Sequence, residues 1–230
     1  MRTWTNLVAV FGLSVAGVAC GDDGTTSDTA APATSTPATQ TTSSAAQLEV
    51  KLLVPDDVGG QWQLGHDMNE ADYSAFTQLP CENTALNPTI IERLTAQTGV
   101  QFDSTDFSLR TMMELLVVGE PDRLGTDLGF LAEAYDACAA TVATTTGVSA
   151  PTVDALALPE LGDQRYGYVM SAFESESAAT WHVRLAMVRV GSIVVSLGLT
   201  EILPTPDTAL QISDEQFVQL VETAVAKLNT

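Results

Sequence analysis

The sequence predicts an α+β domain, a twisted, mainly antiparallel sheet with flanking helices, standing as a single domain after a signal peptide and a disordered tether. Three observations lead there. Trp181, Val183, Leu185 and Met187 alternate with His182, Arg184 and Ala186, the period-two pattern of a half-buried strand with His182 on its less buried face. Val190-Gly191-Ser192 then offers a tight turn into the apolar run Ile193 to Leu199, which makes a hairpin. The chain closes on an amphipathic helix with its own start signal. Strands joined by tight turns run antiparallel, and their apolar faces call for covering helices.

Residues 1–19 carry one cationic residue, Arg2, then an apolar run from Leu7 to Ala19. That is the layout of a secretory signal, and the run is shorter than the roughly 20 residues of a spanning helix. Gly17-Val18-Ala19-Cys20 resembles a lipobox, in which small residues lead to a lipidated cysteine, although Gly17 stands where leucine is usual. Plain secretion after cleavage at Ala19, or a retained anchor helix, are the alternatives. The chain has three cysteines. Lipid on Cys20 leaves Cys81 and Cys138 as an even pair, either bridged or present as two buried thiols. A bridge would close a long loop and contribute about 3–4 kcal/mol in the chain-entropy account.

Residues 20–47 are mostly Thr, Ser, Ala and Pro, a composition that cannot bury enough surface to offset the entropy of ordering. The expectation is a disordered tether, about 30 Å in root-mean-square span. Residues 48–230 then form one domain of ordinary size. Within it a short strand is expected near Trp62, followed by a stretch with no clear pattern. Phe107 to Val118 suits a strand with Met113, Leu115 and Val117 on one face, although its Met, Leu and Glu content also suits a helix. A helix follows over Thr126 to Thr141, with Leu128, Leu131, Ala132, Tyr135 and Cys138 on one side. Tyr166 to Met170 reads as a strand, separated from the hairpin by the polar loop Glu174 to Ala179. The last helix has Ser213 as N-cap, Gln216 completing a capping box, and Ile212 with Phe217 as a hydrophobic staple. Its apolar stripe is Phe217, Leu220, Val221, Ala224 and Leu228.

Several segments together resemble a known group. They are Leu52-Leu53-Val54-Pro55-Asp56-Asp57-Val58-Gly59-Gly60-Gln61-Trp62, the loop around Cys81, the helix ending in Cys138, Leu158-Pro159-Glu160-Leu161-Gly162-Asp163, and Val188-Arg189-Val190-Gly191-Ser192-Ile193-Val194-Val195. This set resembles actinobacterial lipoproteins of the PknH-like extracellular sensor-domain group. The resemblance implies a twisted antiparallel sheet, a cleft for an unidentified ligand and no catalysis. The kinase-linked members carry two disulfides, whereas this chain can form only one, so the shape of any cleft is left open.

Charge and motif content narrow the function. Nine basic residues against 29 acidic ones give a net charge of −20, which repels phosphate backbones, so nucleic acid is excluded as a partner. His66 and His182 lie far apart in sequence without metal-ligand spacing, and no nucleophile elbow, phosphate loop or zinc-protease motif occurs. No cofactor, no metal and no enzyme activity are therefore expected. Trp62, Tyr166, Tyr168 and Trp181 are weak candidate ligand-binding residues, with Tyr135 a further aromatic; aromatics at strand and helix spacing more often belong to a core. Phe173 and the loop after it would sit at a rim. The expected role is a non-catalytic ligand-sensing or protein-binding lipoprotein outside the cell membrane, held by the Cys20 lipid, with an unidentified small ligand or envelope protein as partner. The alternative is a carrier of a lipid or other apolar molecule. Oligomeric state is open.

Intact-mass measurement of the mature protein should show diacylglycerol on Cys20, and non-reducing peptide mapping should yield a linked Cys81–Cys138 pair. An unmodified Cys20 would remove the anchor, and two free thiols would remove the bridge.

Overall fold

The computed structural model describes residues 45–68, 96–106, 109–140, 152–174, 178–205 and 208–229. Their elements, in chain order, are α1 (Ala45–Glu49), α2 (Pro55–Val58), β1 (Trp62–Asp67), β2 (Ala96–Ser104), β3 (Leu109–Val118), α3 (Pro121–Ala140), β4 (Thr152–Ala155), β5 (Gln164–Glu174), β6 (Ala179–Val190), β7 (Ile193–Leu203) and α4 (Asp214–Leu228). The strands make one sheet in the order β1-β2-β3-β7-β6-β5-β4, with every neighbouring pair antiparallel. The α+β architecture expected from the sequence is the one observed.

The β6–β7 hairpin is the centre. Val190 pairs with Ile193 across a two-residue turn, and Gly191 takes φ +60° at its first position, where type II′ hairpins place glycine. Both strands run longer than the apolar pattern suggested, because β7 continues through Thr200 and Glu201 to Leu203 while paired on both sides. The described part of Phe107 to Val118 is a strand: Leu109–Val118 pairs along its whole length with β7 and, from Thr111 on, with β2. Pairing on both sides supplies backbone bonds that outweigh the helix propensity of Met, Leu and Glu.

Two apolar layers lie on the two faces. On the first, Phe102, Met112, Leu116, Ala186, Val188, Val195, Leu197 and Leu199 meet Phe217, Val221, Ala224 and Val225 of α4. Leu48, Leu52, Leu53 and Val58, from α1, α2 and the turn between them, close the same face over β1 and β2. We call residues 45–58 the strap. Each fully buried side chain of this kind contributes about 1.5–3 kcal/mol. On the second face, Leu124, Leu128, Ala132 and Tyr135 of α3 cover Tyr168, Met170, Leu185, Met187 and Val194.

Helix α4 begins as expected. The Ser213 hydroxyl accepts from the Gln216 amide at 3.2 Å, the Gln216 side chain accepts from the Ser213 amide at 2.8 Å, and Ile212 and Phe217 are both buried. Helix α3 starts five residues before its apolar stripe suggested, with Pro121 in the first position, where a missing N–H costs no helical bond. Strand β2 fell in the stretch without clear pattern. Its core side carries Ala96, Thr98, Val100 and Phe102, interleaved with Gln97, Gly99 and Gln101, so its period-two signal is short and polar.

The segment before β5 is a clamp. Gly162 takes φ +60°, the Asp163 amide donates to the Arg189 carbonyl at 2.7 Å, and the Asp163 carboxylate accepts from the Gly191 amide at 2.7 Å. A Cβ on Gly162 would stand 2.2 Å from the Arg189 carbonyl oxygen, whereas one on Gly191 would meet nothing within 4 Å. Both glycines adopt the left-handed conformation, but only one is also crowded. Gly162→Ala should therefore lower unfolding stability by about 2 kcal/mol or more and Gly191→Ala by about 1 kcal/mol, measured by urea denaturation. Equal losses would refute the clamp.

Candidate functional site

The cross-strand register decides which candidate residues can meet. On the second face, one row runs Ala172, Trp181, Ile202, Leu109 and the next Met170, Val183, Thr200, Thr111, Asp103. A third runs Tyr168, Leu185, Gly198, Met113, Gln101. Helix α3 leaves β3 beside the β6–β7 turn and packs on β7, β6, β5 and β4. It covers Tyr168, Met170, Leu185 and Met187. Toward the other end of β6 and β7, and across β3 to β2, the side chains are only half-buried: Trp181, Val183, Ile202, Thr200, Met113, Thr111, Gln101 and Asp103, with Leu109 exposed. Asp103 ties the polar corner together, accepting from Gln101 at 2.9 Å and from the Thr111 hydroxyl at 3.5 Å.

This floor is apolar around Trp181 and polar around Asp103. Three strand spacings by two side-chain repeats give it roughly 14 Å in each direction, or about 200 Å². A stable protein interface takes about 800 Å² from each partner. The described floor thus matches a small molecule or a short peptide better than a folded protein.

The four aromatic candidates do not converge. Trp62 lies on the first face, buried beneath the Arg110 guanidinium at 5.3 Å from its ring centroid. Tyr168 is core: it stacks on Tyr135 with centroids 4.7 Å apart, and its hydroxyl donates to the Ala132 carbonyl at 3.1 Å. Burial pushes the Tyr135 hydroxyl well above its ordinary value and Tyr168 up to about 12, so neither ionises near neutral pH. Tyr166 packs half-buried against the α3 layer. Only Trp181 reaches the open floor. The sequence pattern missed Gln101, Asp103 and Thr111; a period-two reading of Ala96 to Ser104 would have put Gln101 and Asp103 on one side, but only the β2–β3 register brings Thr111 to them. Phe173 is exposed at the end of β5, and the loop after it lies largely outside the described residues. Cys20, Cys81 and the side chains of His66 and Cys138 also lie outside them.

The first face corrects the expectation for β6. Sequence alternation placed His182, Arg184 and Ala186 on the less buried side, yet Arg184 and Ala186 are among the most buried residues of the chain. The reason is that α4 packs on this face of β6, and the Arg184 charge is neutralised in place. Arg184 donates to Glu201 at 2.8 Å, to Asp214 at 2.7 Å and to the Ile212 carbonyl at 2.7 Å. Glu201 also accepts from the Gln211 amide at 3.0 Å. These contacts hold residues 211–214, and so the start of α4, against the sheet.

On the same face, His182 stands between Ser171 and Glu201 in one cross-strand row. Its Nδ1 lies 2.8 Å from the Ser171 hydroxyl, while its Nε2 is shielded and meets no hydrogen-bond partner among the described residues. Burial, then the Arg184 charge, lowers its pKa, which favours the neutral ring. A hydrolytic triad needs a carboxylate on the ring nitrogen facing away from the nucleophile. Here both oxygens of the neighbouring Glu201 are engaged by Arg184 and the Gln211 amide. The row is therefore built to pair buried charges rather than to move a proton from Ser171. Among the described residues no group of three His, Cys, Asp or Glu side chains is placed to hold a metal ion, and no helix is long and apolar enough to cross a membrane.

Arg184→Met should cost about 3–5 kcal/mol in denaturant unfolding, since it leaves the Glu201 carboxylate buried without its counter-charge. Asp214→Ala, at a half-exposed carboxylate, should cost no more than about 1 kcal/mol. Similar losses for both would disprove the central role given to the Arg184–Glu201 pair.

No family model and no curated protein matches the chain. Among solved structures, the extracellular domain of PknH from Mycobacterium tuberculosis matches with a TM-score of 0.56 at 15% identity, covering 81% of this chain and 97% of that one. The Rv0999 ortholog from Mycobacterium smegmatis, an uncharacterized protein, overlaps with a TM-score of 0.43 at 12% identity, covering 81% of this chain and 95% of that one. The TM-score and the near-complete coverage of the first neighbour agree: this chain has the fold of the PknH extracellular domain.

Proposed function

We propose that this chain is a non-catalytic binding domain working outside the cytoplasmic membrane, anchored there by lipid on Cys20, and that it takes a small ligand or short peptide on the floor around Trp181. The observation that carries this reading is the floor itself. Beyond the part of the second face that α3 covers, half-buried Trp181, Val183, Ile202 and Met113 share a surface with the polar group Asp103, Gln101 and Thr111. An apolar platform with a few polar groups at one side is the usual composition of a ligand site. The likeness to a domain described as extracellular supports the location, as do the signal-like N-terminus and the Thr/Ser/Ala/Pro-rich run after it. Between the two roles expected from the sequence, ligand sensing and protein binding, the limited area favours the first.

Native mass spectrometry of the protein released gently from its own envelope should reveal a co-purifying small molecule or peptide. Trp181→Ala should lose that species while keeping its unfolding midpoint within about 1 kcal/mol of the parent, because a half-buried side chain carries only part of the burial energy of a core residue. A ligand retained at full occupancy by Trp181→Ala would place the site elsewhere, and an acyl lipid as the bound species would favour the carrier role.

A further inference from the structure

Glu114 projects from the middle of β3 into the first apolar layer and has no exposed surface. Its register partners are Val100 on β2 and Leu197 on β7, both buried. One carboxylate oxygen accepts from the Leu53 amide at 2.6 Å. The other is buried and meets no hydrogen-bond partner among the described residues. Leu53 belongs to the strap, whose other contacts include the packing of its buried leucines and Val58 and two polar contacts to α4. Lys51 Nζ donates to the Leu228 carbonyl at 3.1 Å, and Lys227 Nζ donates to the Asp57 carboxylate at 2.5 Å. The strap directly follows the Thr/Ser/Ala/Pro-rich run, so any pull along that run acts first on these contacts.

We propose that the strap is a proton-controlled latch: neutral Glu114 keeps residues 45–58 closed on the sheet, and ionised Glu114 promotes their lifting, which lets water reach the carboxylate. An apolar layer penalises the charged form, and one hydrogen bond leaves half of the carboxylate unsatisfied. The charged groups facing Glu114 are Asp57 from the strap and Lys227 from α4, already joined to each other. The facing positions on the adjacent strands, Thr98, Val100 and Phe102 of β2 and Val195, Leu197 and Leu199 of β7, carry no charge. On β3 itself the nearest same-face charge is Arg110, which is paired to Asp106. Burial pushes Glu114 from its ordinary 4.5 up to about 7, against the downward pull of the Leu53 amide and Lys227, with Asp57 adding to the rise. Because the closed-state value lies above the open-state value, closing takes up a proton. Closure is therefore most favourable below about pH 4.5, weakens as the pH rises toward about 7, and is constant above that.

Hydrogen exchange of the full chain at about pH 5.5 and about pH 8.5, corrected for intrinsic amide chemistry, tests the latch. Opening of the strap amides, from Lys51 to Val58, should rise on the order of thirty-fold at the higher pH while the β6–β7 core stays protected. Glu114→Gln keeps an oxygen for the Leu53 amide and removes the charge, so its strap should stay closed at both values. Equal strap protection in the parent at the two pH values, or the same rise in Glu114→Gln, would overturn the proposal. The parent comparison decides the matter alone should the variant not fold.

Discussion

The Arg184–Glu201 pair is the contact on which the first face depends. It lies on the two central strands with both side chains about 1% exposed, and Arg184 also reaches Asp214 and the Ile212 carbonyl. A buried ion pair is a weak source of stability by itself, because desolvation offsets most of the attraction. Its value here is geometric. It accepts only one placement of residues 211–214, and that placement sets where α4 starts. From there Phe217, Val221 and Ala224 complete the layer over β6 and β7.

The two faces then diverge in purpose. The first is sealed by α4 and the strap, with charged side chains enclosed and mostly compensated. Among the described residues, the second is covered only where α3 crosses it. The difference follows from chain path: α3 leaves β3 beside the β6–β7 turn and angles toward the β4 edge, which leaves the opposite end of the sheet to half-buried side chains. The floor runs from Trp181 on β6 across β7 and β3 to Asp103 on β2. The Glu114 contact with Leu53 gives the opposite face a movable part. Floor and latch are separated by the sheet, since Met113 of β3 points to one face and Glu114 to the other.

Much of the fold was legible because it rests on local chemistry. The Ser213–Gln216 capping box, the Gly191 turn and the apolar stripe of α4 depend on residues a few positions apart, and the same holds for most of β5, β6 and β7. Strand β2 was not legible, since a short polar alternation looks like a loop until β1 and β3 supply its backbone partners. The site was legible only in part. Trp181 was among the four aromatics singled out, but Trp62 and Tyr168 had equally good aromatic credentials and went into the two cores.

The sequence by itself determined the α+β class, the capped closing helix, the hairpin at the centre and an acidic chain with no motif for catalysis, because these follow from periodicity, turn residues and charge within single segments. Tertiary structure alone decided which face each residue serves. Alternation along β6 could separate Trp181 from Arg184 but could not say which side would be sealed. That depends on which helix covers each face, and on Glu201 and Asp214, 17 and 30 residues further along the chain, arriving to neutralise Arg184.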